Sequence, residues 1–443
     1  MVGHRWVGWC VVLAVGCGSK PPGGADSGES SGEPETGSSE GSSESGTTGP
    51  QAACEVVEVP DAALAAALRI ELELDADAPI PGDLLAAKDL LFMPGAGIAD
   101  LSGLECATGL EQLFVSDNQI VDISVLAGLP ALQNVALDGN LIADISPFAG
   151  HAQLHTLGVS RNQIASTAAL SDLPQLANLD LSDNPLTVVE GLDDVPALVS
   201  FRFQRTGVTE LGFLAKLASV DNVWGDGAAV TSLATLPDLP ALTHLSLSDN
   251  AIADATTAAS LPLLEYLDLA GNQLADVEGL AQAELPALTG LSLDRNPLVG
   301  LDSVAAIATL ERLSINDVGV VDLAPLAAFE PALGWLAARG NGIVDIAPVA
   351  DVHALDLADN AIVDISALAG ATDVQALDLS NNAITDFAAL LDVAFASCAI
   401  VTLTGNPGDP ATVTSSMCTD AVVVTGVCMP EACDPCPGDD DCG

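Results

Sequence analysis

Apolar and polar residues follow one pattern along most of the chain, and it returns about every 22 residues. Segments such as LFVSDNQIVDISVLAGLPAL, from Leu113, and VALDGNLIADISPFAGHAQL, from Val135, share the frame LxLxxNxIxDIxxLxxLPxL. The LxL alternation predicts a short strand with its leucines pointing inward. Strands of successive copies are expected to stack into one parallel sheet. The return segment is too short for a long helix, so the frame predicts 3₁₀ turns and brief helices opposite the sheet.

An asparagine marks most copies of the repeat, and we number positions from it as N. Its amide is expected to be buried at the turn out of each strand, where it bonds backbone groups of its own and the adjacent coil. Eleven copies carry it, at Asn118, Asn140, Asn162, Asn184, Asn250, Asn272, Asn296, Asn341, Asn360, Asn382 and Asn406. Four copies keep the frame without it, at Ala96, Thr206, Ala228 and Val318. Together they predict fifteen coils between residues 84 and 406.

This 22-residue frame resembles the internalin-like leucine-rich-repeat family over roughly residues 54–406. The resemblance implies an α/β solenoid, a leucine-rich-repeat horseshoe with a parallel concave sheet of about 15 short strands and a convex side of 3₁₀ turns and short helices. It also implies binding of proteins or surface ligands on the concave face. The segment CEVVEVPDAALAAALRIEL resembles the family's N-terminal helical cap, with Asp61 as its N-cap. The C-terminal flank resembles no immunoglobulin-like module and has no cell-wall sorting signal, so a host-invasion role is not carried over.

An aspartate recurs four residues after most N positions, and it has two interpretations. A column of carboxylates could bind calcium, or each aspartate could cap the turn that follows it. We favour capping, because one carboxylate per coil gives too few ligands for an ion. These residues are Asp100, Asp122, Asp144, Asp254, Asp276, Asp322, Asp345, Asp364 and Asp386.

The positions N−6, N−4, N−2 and N−1 are expected to face solvent, and we call this surface the sheet face. It collects every Trp and Tyr after residue 17 and six of the eight Lys and Arg residues of the repeats. Such residues are enriched at binding hot spots, so they predict a partner-binding surface. The candidate residues are Phe92, Phe114, Arg161, Arg202, Arg205, Trp224, His244, Tyr266, Arg295, Arg312, Trp335 and Arg339.

Some candidates are neighbours one coil apart, which leaves a second interpretation open. Phe92 precedes Phe114 in one column; the pairs Arg202 with Trp224 and Arg312 with Trp335 are placed in the same way. They could pack on each other by cation–π contact on an unused face. Aspartates share the face, so its charge is mixed. The coils at Thr206 and Ala228 lack the asparagine, which predicts a local irregularity of the sheet there.

The N-terminus predicts export. Arg5 precedes an apolar run of ten residues, too short to span a bilayer. The string LAVGC that follows resembles a bacterial lipobox, which implies a signal peptide over residues 1–16 and lipid attachment at Cys17; the alternative is an ordinary signal peptide cut elsewhere. Gly18 after the cysteine implies delivery to the outer membrane, by the same resemblance. Residues 17–50, nearly without apolar side chains, predict a disordered Gly/Ser/Glu tether.

Eight cysteines after Cys17 lie only near the two ends of the repeats. In an exported chain this placement predicts disulfides that fix a cap at residues 51–83 and a Cys-rich cap and tail at residues 407–443. Cys54 and Cys106 make a reasonable pair, and the C-terminal pairing stays open. A metal site at Cys433, Cys436 and Cys442 is the competing interpretation. The eight are Cys54, Cys106, Cys398, Cys418, Cys428, Cys433, Cys436 and Cys442.

The net charge of the protein limits the classes of partner that it can bind. With 61 acidic and 11 basic residues the net charge is −50, which disfavours nucleic acid and anionic membrane surfaces. No GxSxG, HExxH or phosphate-binding glycine loop is present, and no catalytic residue, cofactor or metal is predicted. We therefore expect a monomeric, non-catalytic protein-binding scaffold of the bacterial envelope, lipid-anchored to the outer membrane or cell surface. The alternative is a structural or adhesive spacer without a specific ligand.

Overall fold

The computed structural model describes residues 54–257, 259–283, 285–329, 333–419 and 422–425, without the side chains of residues 415, 418 and 419. A two-stranded antiparallel sheet, β1 (Val56–Val57) with β2 (Ile80–Pro81), lies at the N-terminal end. Sixteen further strands form one parallel sheet in sequence order. They are β3 (Leu90–Phe92), β4 (Gln112–Phe114), β5 (Asn134–Ala136), β6 (Thr156–Gly158), β7 (Asn178–Asp180), β8 (Ser200–Arg202), β9 (Asn222–Trp224), β10 (His244–Ser246), β11 (Tyr266–Asp268), β12 (Gly290–Ser292), β13 (Arg312–Ser314), β14 (Trp335–Ala337), β15 (Ala354–Asp356), β16 (Thr372–Asp378), β17 (Ala394–Thr402) and β18 (Val423–Val424).

The sequence frame accounts for fifteen of these strands. Each strand from β3 to β17 contains positions N−6 to N−4 of its coil, and equivalent positions pair across neighbouring strands, as His244 does with Tyr266. The fold is a leucine-rich-repeat solenoid, as predicted. The expected number of about 15 strands is confirmed, and the sixteenth is β18, which extends the sheet beyond the last asparagine. Its residues lie outside the repeat frame, so the pattern carries no signal for it.

The asparagine ladder forms as predicted. The Asn140 amide donates to the carbonyl oxygens of Leu137 at 2.9 Å and Val115 at 3.1 Å, in its own and the preceding coil. Its side-chain oxygen accepts from the Ile120 N–H at 3.0 Å. A coil that carries the asparagine is thereby bonded to the coil before it through a buried or half-buried side chain. The other ten asparagines bond in the same way.

The predicted irregularity at the two coils around Thr206 and Ala228 is wrong. Strands β8 and β9 pair in the ordinary register there. Phe203 fills the core of its coil, and Gly225 of the next coil makes room, since a Cβ on Gly225 would lie 2.3 Å from the Phe203 ring. A large residue and a small one therefore compensate, and the strands stay aligned. The register shifts instead between β16 and β17.

Most return segments contain a 3₁₀ turn or one of two short helices, α3 (Glu278–Gln282) and α4 (Asp302–Ala305), as expected. The described residues of the segments after β6, β7, β9 and β10 contain neither. All nine recurrent aspartates accept a hydrogen bond from the backbone N–H two residues later. Asp122 accepts from Ser124 at 2.8 Å, and this bond holds the pKa of Asp122 below its usual value. The aspartate lies one residue before the N-cap, Ile123, so it caps the turn from outside. Among the described residues, no group of three or more His, Cys, Asp or Glu is placed to hold a metal ion.

The N-terminal cap is bonded to the first repeat. Helix α1 (Ala62–Glu71) begins after Asp61, whose Oδ1 accepts from the backbone of Ala63 and Leu64. Its Oδ2 accepts from Ala99 and Asp100 of the first coil, at 2.8 and 3.0 Å. One carboxylate therefore caps the helix and joins it to the solenoid.

The ends also carry disulfides. Cys54 and Cys106, paired in the sequence analysis, form one. Cys398 is disulfide-bonded as well. The predicted signal peptide and tether lie outside the described residues, and so do the Cys418 side chain, Cys17, Cys428, Cys433, Cys436 and Cys442.

Two further helices are α2 (Gly82–Ala86) and α5 (Ala411–Thr419). No helix in the described ranges is long and apolar enough to cross a membrane.

Candidate binding surface on the sheet face

The backbone at N−1 is left-handed in all fifteen coils, a feature that was not predicted from the repeat frame. The φ angles there lie between 51° and 78°. Six of these positions are glycine, and the others are Asp, Asn or Arg. The predominance of Gly, Asp and Asn at N−1 is the sequence signal that could have predicted this conformation, because these residues tolerate the left-handed region best. The non-glycine members are Asp117, Arg161, Asp183, Arg205, Asp249, Arg295, Asp317, Asp359 and Asn381.

Two arginines of this N−1 row reach across a whole coil to an aspartate. Arg161 lies 3.0 Å from the Asp117 carboxylate, and Arg295 lies 2.7 Å from Asp249. The intervening coil has a glycine in both cases. A Cβ on that glycine would lie 2.4 Å and 2.2 Å, respectively, from the aspartate oxygen, so only glycine leaves the path open. The glycines are Gly139 and Gly271.

Two more arginines pair with the neighbouring coil. Arg205 bonds Asp183 through two nitrogens, and Arg339 lies 2.7 Å from Asp359. Four of the six predicted arginines are therefore in ion pairs within the protein. Exposed ion pairs of this kind contribute about 0.2–1 kcal/mol each to the stability of the fold. Their larger effect is that these four arginines are already paired and are less available to bind a partner.

Two predicted neighbour pairs pack on each other. The Arg202 guanidinium lies 4.5 Å from the centre of the Trp224 ring, a cation–π contact. The Phe92 and Phe114 rings lie 6.1 Å apart, with Phe92 59% exposed. The packing interpretation raised from the sequence therefore describes these four residues.

The row of side chains at N−6 differs from the N−1 row because it contains aromatic residues and no aspartate. From β10 to β14 it runs His244, Tyr266, Gly290, Arg312 and Trp335 in direct register. The rings of His244 and Tyr266 lie 6.2 Å apart. The Tyr266 ring leans over Gly290, where a Cβ would lie 2.7 Å from it and 3.5 Å from a terminal nitrogen of Arg312. Tyr266 and Arg312 thus converge above Gly290 from opposite sides. We call Tyr266, Gly290, Arg312 and Trp335 the Arg312 row.

Arg312 is the exception among the sheet-face arginines. Within the described ranges, no carboxylate oxygen lies within 4.0 Å of its guanidinium nitrogens, and its guanidinium stacks on no ring. Trp335 is its neighbour in register but does not stack on it, so the cation–π contact considered for this pair does not form. Arg312 is exposed, and Trp335 keeps 39% of its surface exposed. A solvated cation therefore lies between two aromatic side chains.

The aspartates nearby are largely engaged by the sheet. Asp226 accepts from the Ser248 backbone at 3.0 Å, and Asp294 accepts from the Asn316 backbone at 2.8 Å, each in the next coil. Asp268 accepts from Ala270 at 2.9 Å. Burial raises the pKa of Asp268. These carboxylates stabilise the turn out of the strand, and they contribute the negative part of a mixed surface.

Tyr266 is held in its neutral form. Burial, with the charges of Asp268 and Asp294, raises the pKa of its phenol to about 12. The hydroxyl therefore keeps its proton and can donate a hydrogen bond over the whole physiological range. It adds a polar group beside Arg312 without adding charge.

Comparisons with known proteins agree with the fold. Residues 240–282 match the family model described as Leucine Rich repeats (2 copies). No curated protein sequence matches the chain. An internalin (inlF) from Listeria monocytogenes aligns at 24% identity and a TM-score of 0.59, over 76% of this chain and 95% of that one. TLR13, solved as a complex with ssRNA13, aligns at 20% identity and 0.51, over 72% of this chain and 52% of that one.

A plant peptide hormone receptor, RGFR1, solved in complex with RGF2, aligns at 17% identity and a TM-score of 0.50. The alignment covers 74% of this chain and 61% of the receptor. At these identities the likeness concerns the fold. The repeat frame, the sixteen-stranded parallel sheet and these alignments together show that the chain has the leucine-rich-repeat solenoid fold, which it shares with this internalin.

Proposed function

We propose that the protein is a non-catalytic scaffold that binds a protein partner on the sheet face, the concave side of the solenoid. The observation that carries this proposal is the Arg312 row, where an exposed cation without a carboxylate lies between two aromatic side chains. Large aromatics and arginine are the residues that dominate binding energy at protein interfaces. RGFR1, a plant peptide hormone receptor that was solved in complex with RGF2, shares the fold, which is consistent with a role of this kind.

The same surface argues against nucleic acid as the partner. Each bound phosphate would have to approach a protein of net charge −50. On the described sheet face, Arg202 and Arg312 are the arginines without a carboxylate within 4.0 Å, and two cations are fewer than the several phosphate contacts that such binding uses. We propose a monomer that needs neither cofactor nor metal.

We propose that the chain acts at the bacterial envelope, exported by residues 1–16 and lipid-anchored at Cys17 in the outer membrane or at the cell surface. The string LAVGC and the disulfides at the two ends support this location. Globomycin, which blocks lipoprotein signal cleavage, should make a larger precursor accumulate on an immunoblot. Unchanged maturation would contradict attachment at Cys17.

The second candidate is a structural or adhesive envelope spacer. The ion pairs at N−1 and N−2 favour it, because four arginines that could have met a partner bond aspartates of the solenoid instead. The two candidates differ over the Arg312 row, since a spacer has no use for an unpaired cation between aromatics.

Site-specific photo-cross-linking tests the proposal. A photoreactive phenylalanine analogue replaces Trp335 on the sheet face or, as the control, Glu278 of helix α3 on the opposite side. Irradiated cells that express the full chain should give a discrete adduct from position 335 only. A triple variant, Trp224→Ala, Arg312→Ala and Trp335→Ala, should no longer co-purify with the adduct's partner. Equal adducts from both positions, or none from 335, would support the spacer.

A further inference from the structure

We infer that Arg312 binds a carboxylate of the partner, with Tyr266 and Trp335 packing against the apolar group beside that carboxylate. This inference rests on the proposed function and specifies its ligand chemistry as an acidic peptide segment with a large apolar neighbour. Three observations carry it: the charge of the N−6 row, the convergence over Gly290, and the exposure of the flanking rings.

The N−6 row contains no carboxylate in any of its fifteen coils, although the chain has 61 acidic residues. In the N−1 row, arginines alternate with aspartates that neutralise them. Arg312 has no such neighbour on either side, because Gly290 and Trp335 flank it. A charge-assisted bond to an incoming carboxylate therefore displaces no internal partner, which makes Arg312 the cation of the face that is ready for an anion.

Gly290 shapes the space where that anion would lie. Its missing side chain lets the Tyr266 ring and the Arg312 guanidinium approach one another over the sheet. Gly290 and the residues beside Arg312, Ser292 and Ser314, are buried, so the floor is closed and the approach is from solvent above. The neutral phenol of Tyr266 adds a hydrogen-bond donor to the same space.

The aromatic rings on either side of Arg312 indicate which ligand group lies next to the carboxylate. Trp335 lies one strand from Arg312, about 4.8 Å away along the sheet, and Tyr266 lies two strands away on the other side. An extended peptide carries neighbouring side chains at similar spacings, so an acidic group on Arg312 places its neighbour on an aromatic ring. A dianionic phosphate is disfavoured relative to a carboxylate, because Asp268 and Asp294 lie close to the row and repel the second charge.

Chain-terminal and side-chain carboxylates share this chemistry, and defined peptides separate them. The full-length protein is titrated with acetyl-Gly-Gly-Phe bearing a free carboxylate, the same peptide as the C-terminal amide, and acetyl-Gly-Asp-Phe amide. Binding is followed by tryptophan fluorescence and by calorimetry, at low salt. The matched variants are Arg312→Gln and Arg295→Gln. They change the net charge equally, but Arg295 is already paired with Asp249.

The wild type should bind at least one carboxylate peptide and not the amide without aspartate. Arg312→Gln should weaken that binding at least tenfold, equivalent to about 1.4 kcal/mol. Arg295→Gln should leave it within twofold, and Arg312→Lys should recover part of it. The preferred peptide identifies the source of the carboxylate.

Three results would overturn the inference: no binding of either carboxylate peptide, equal binding of the amide, or equal losses in the two glutamine variants. Circular dichroism of each variant confirms that its fold is intact. If cross-linking from position 335 succeeds while the peptides bind independently of Arg312, the carboxylate assignment fails and the sheet-face function stands. If both fail, the proposed function fails with it.

Discussion

Replacing single asparagines of the ladder should destabilise the solenoid by amounts that depend on the following coil. In Asn140→Ala, the carbonyls of Val115 and Leu137 keep a second amide, from Asn118 and Asn162. One buried group alone, the Ile120 N–H, loses its partner. An unsatisfied buried donor costs about 1–3 kcal/mol, so we expect a loss of about 2 kcal/mol.

Asn184→Ala should cost about twice as much. The Ile164 N–H loses its acceptor, as in the first variant. The Leu181 carbonyl also loses its donor, because the next coil has Thr206 in place of an asparagine and Thr206 bonds elsewhere. Two orphaned groups instead of one give about 4 kcal/mol on the same scale.

Urea unfolding followed by circular dichroism measures both losses, with Asn178→Ala as the matched control. Asn178 is an exposed asparagine on β7 whose amide makes one bond, at 3.5 Å to Thr156, so its replacement should change stability by less than about 0.5 kcal/mol. Hydrogen exchange at the Ile120 and Ile164 amides locates the damage even if the coils unfold separately. Equal midpoints for Asn140→Ala and Asn178→Ala would refute the reasoning, and so would an Asn184→Ala no worse than Asn140→Ala.

Three further predictions concern the core, a buried charge and the N-terminal cap. Gly225→Ala should lose about 1–3 kcal/mol in urea unfolding by crowding Phe203, and adding Phe203→Leu should recover part of that loss. Asp268→Asn should raise the melting temperature at pH 7. Burial raises the folded-state pKa of Asp268 above the unfolded value, so the stability of its protonated form is lost as pH rises through the folded pKa. Removing the Cys54–Cys106 disulfide with paired alanines should cost about 4 kcal/mol in denaturant unfolding, since the bond joins residues 52 apart.

Each of these has a contrary outcome that is easy to observe. Additive effects of the Gly225 and Phe203 changes would mean that the two side chains do not compete for one space. An Asp268→Asn protein that melts lower at pH 7 but not at pH 4 would show that the ionised carboxylate is stabilising. Equal free energies of unfolding for the oxidised wild type and the double-alanine variant would show that the Cys54–Cys106 disulfide does not stabilise the fold.

The strand positions and the asparagine ladder could be predicted because each depends on one coil and its immediate copy. The side-chain pairing on the sheet face could not, because it depends on residues one or two coils away. Arg161 reaches Asp117 only because the coil between them has a glycine, and that coincidence lies outside any single repeat. The strand β18 was not predicted because it follows the last copy of the repeat frame.

The position of an arginine along its coil determines its role in this protein. At N−1 the left-handed backbone repeats in every coil and lines up side chains at about the strand spacing of 4.8 Å, which suits ion pairs along the solenoid. At N−6, about five residues or 16 Å earlier along an extended chain, no such aspartates are present, and Arg312 cannot reach those of the other row. Arginines at the N−1 and N−2 edge of the sheet face are therefore held in ion pairs, whereas Arg312 at the other edge is not. A partner that contacts Arg312 competes with nothing that holds the coils together.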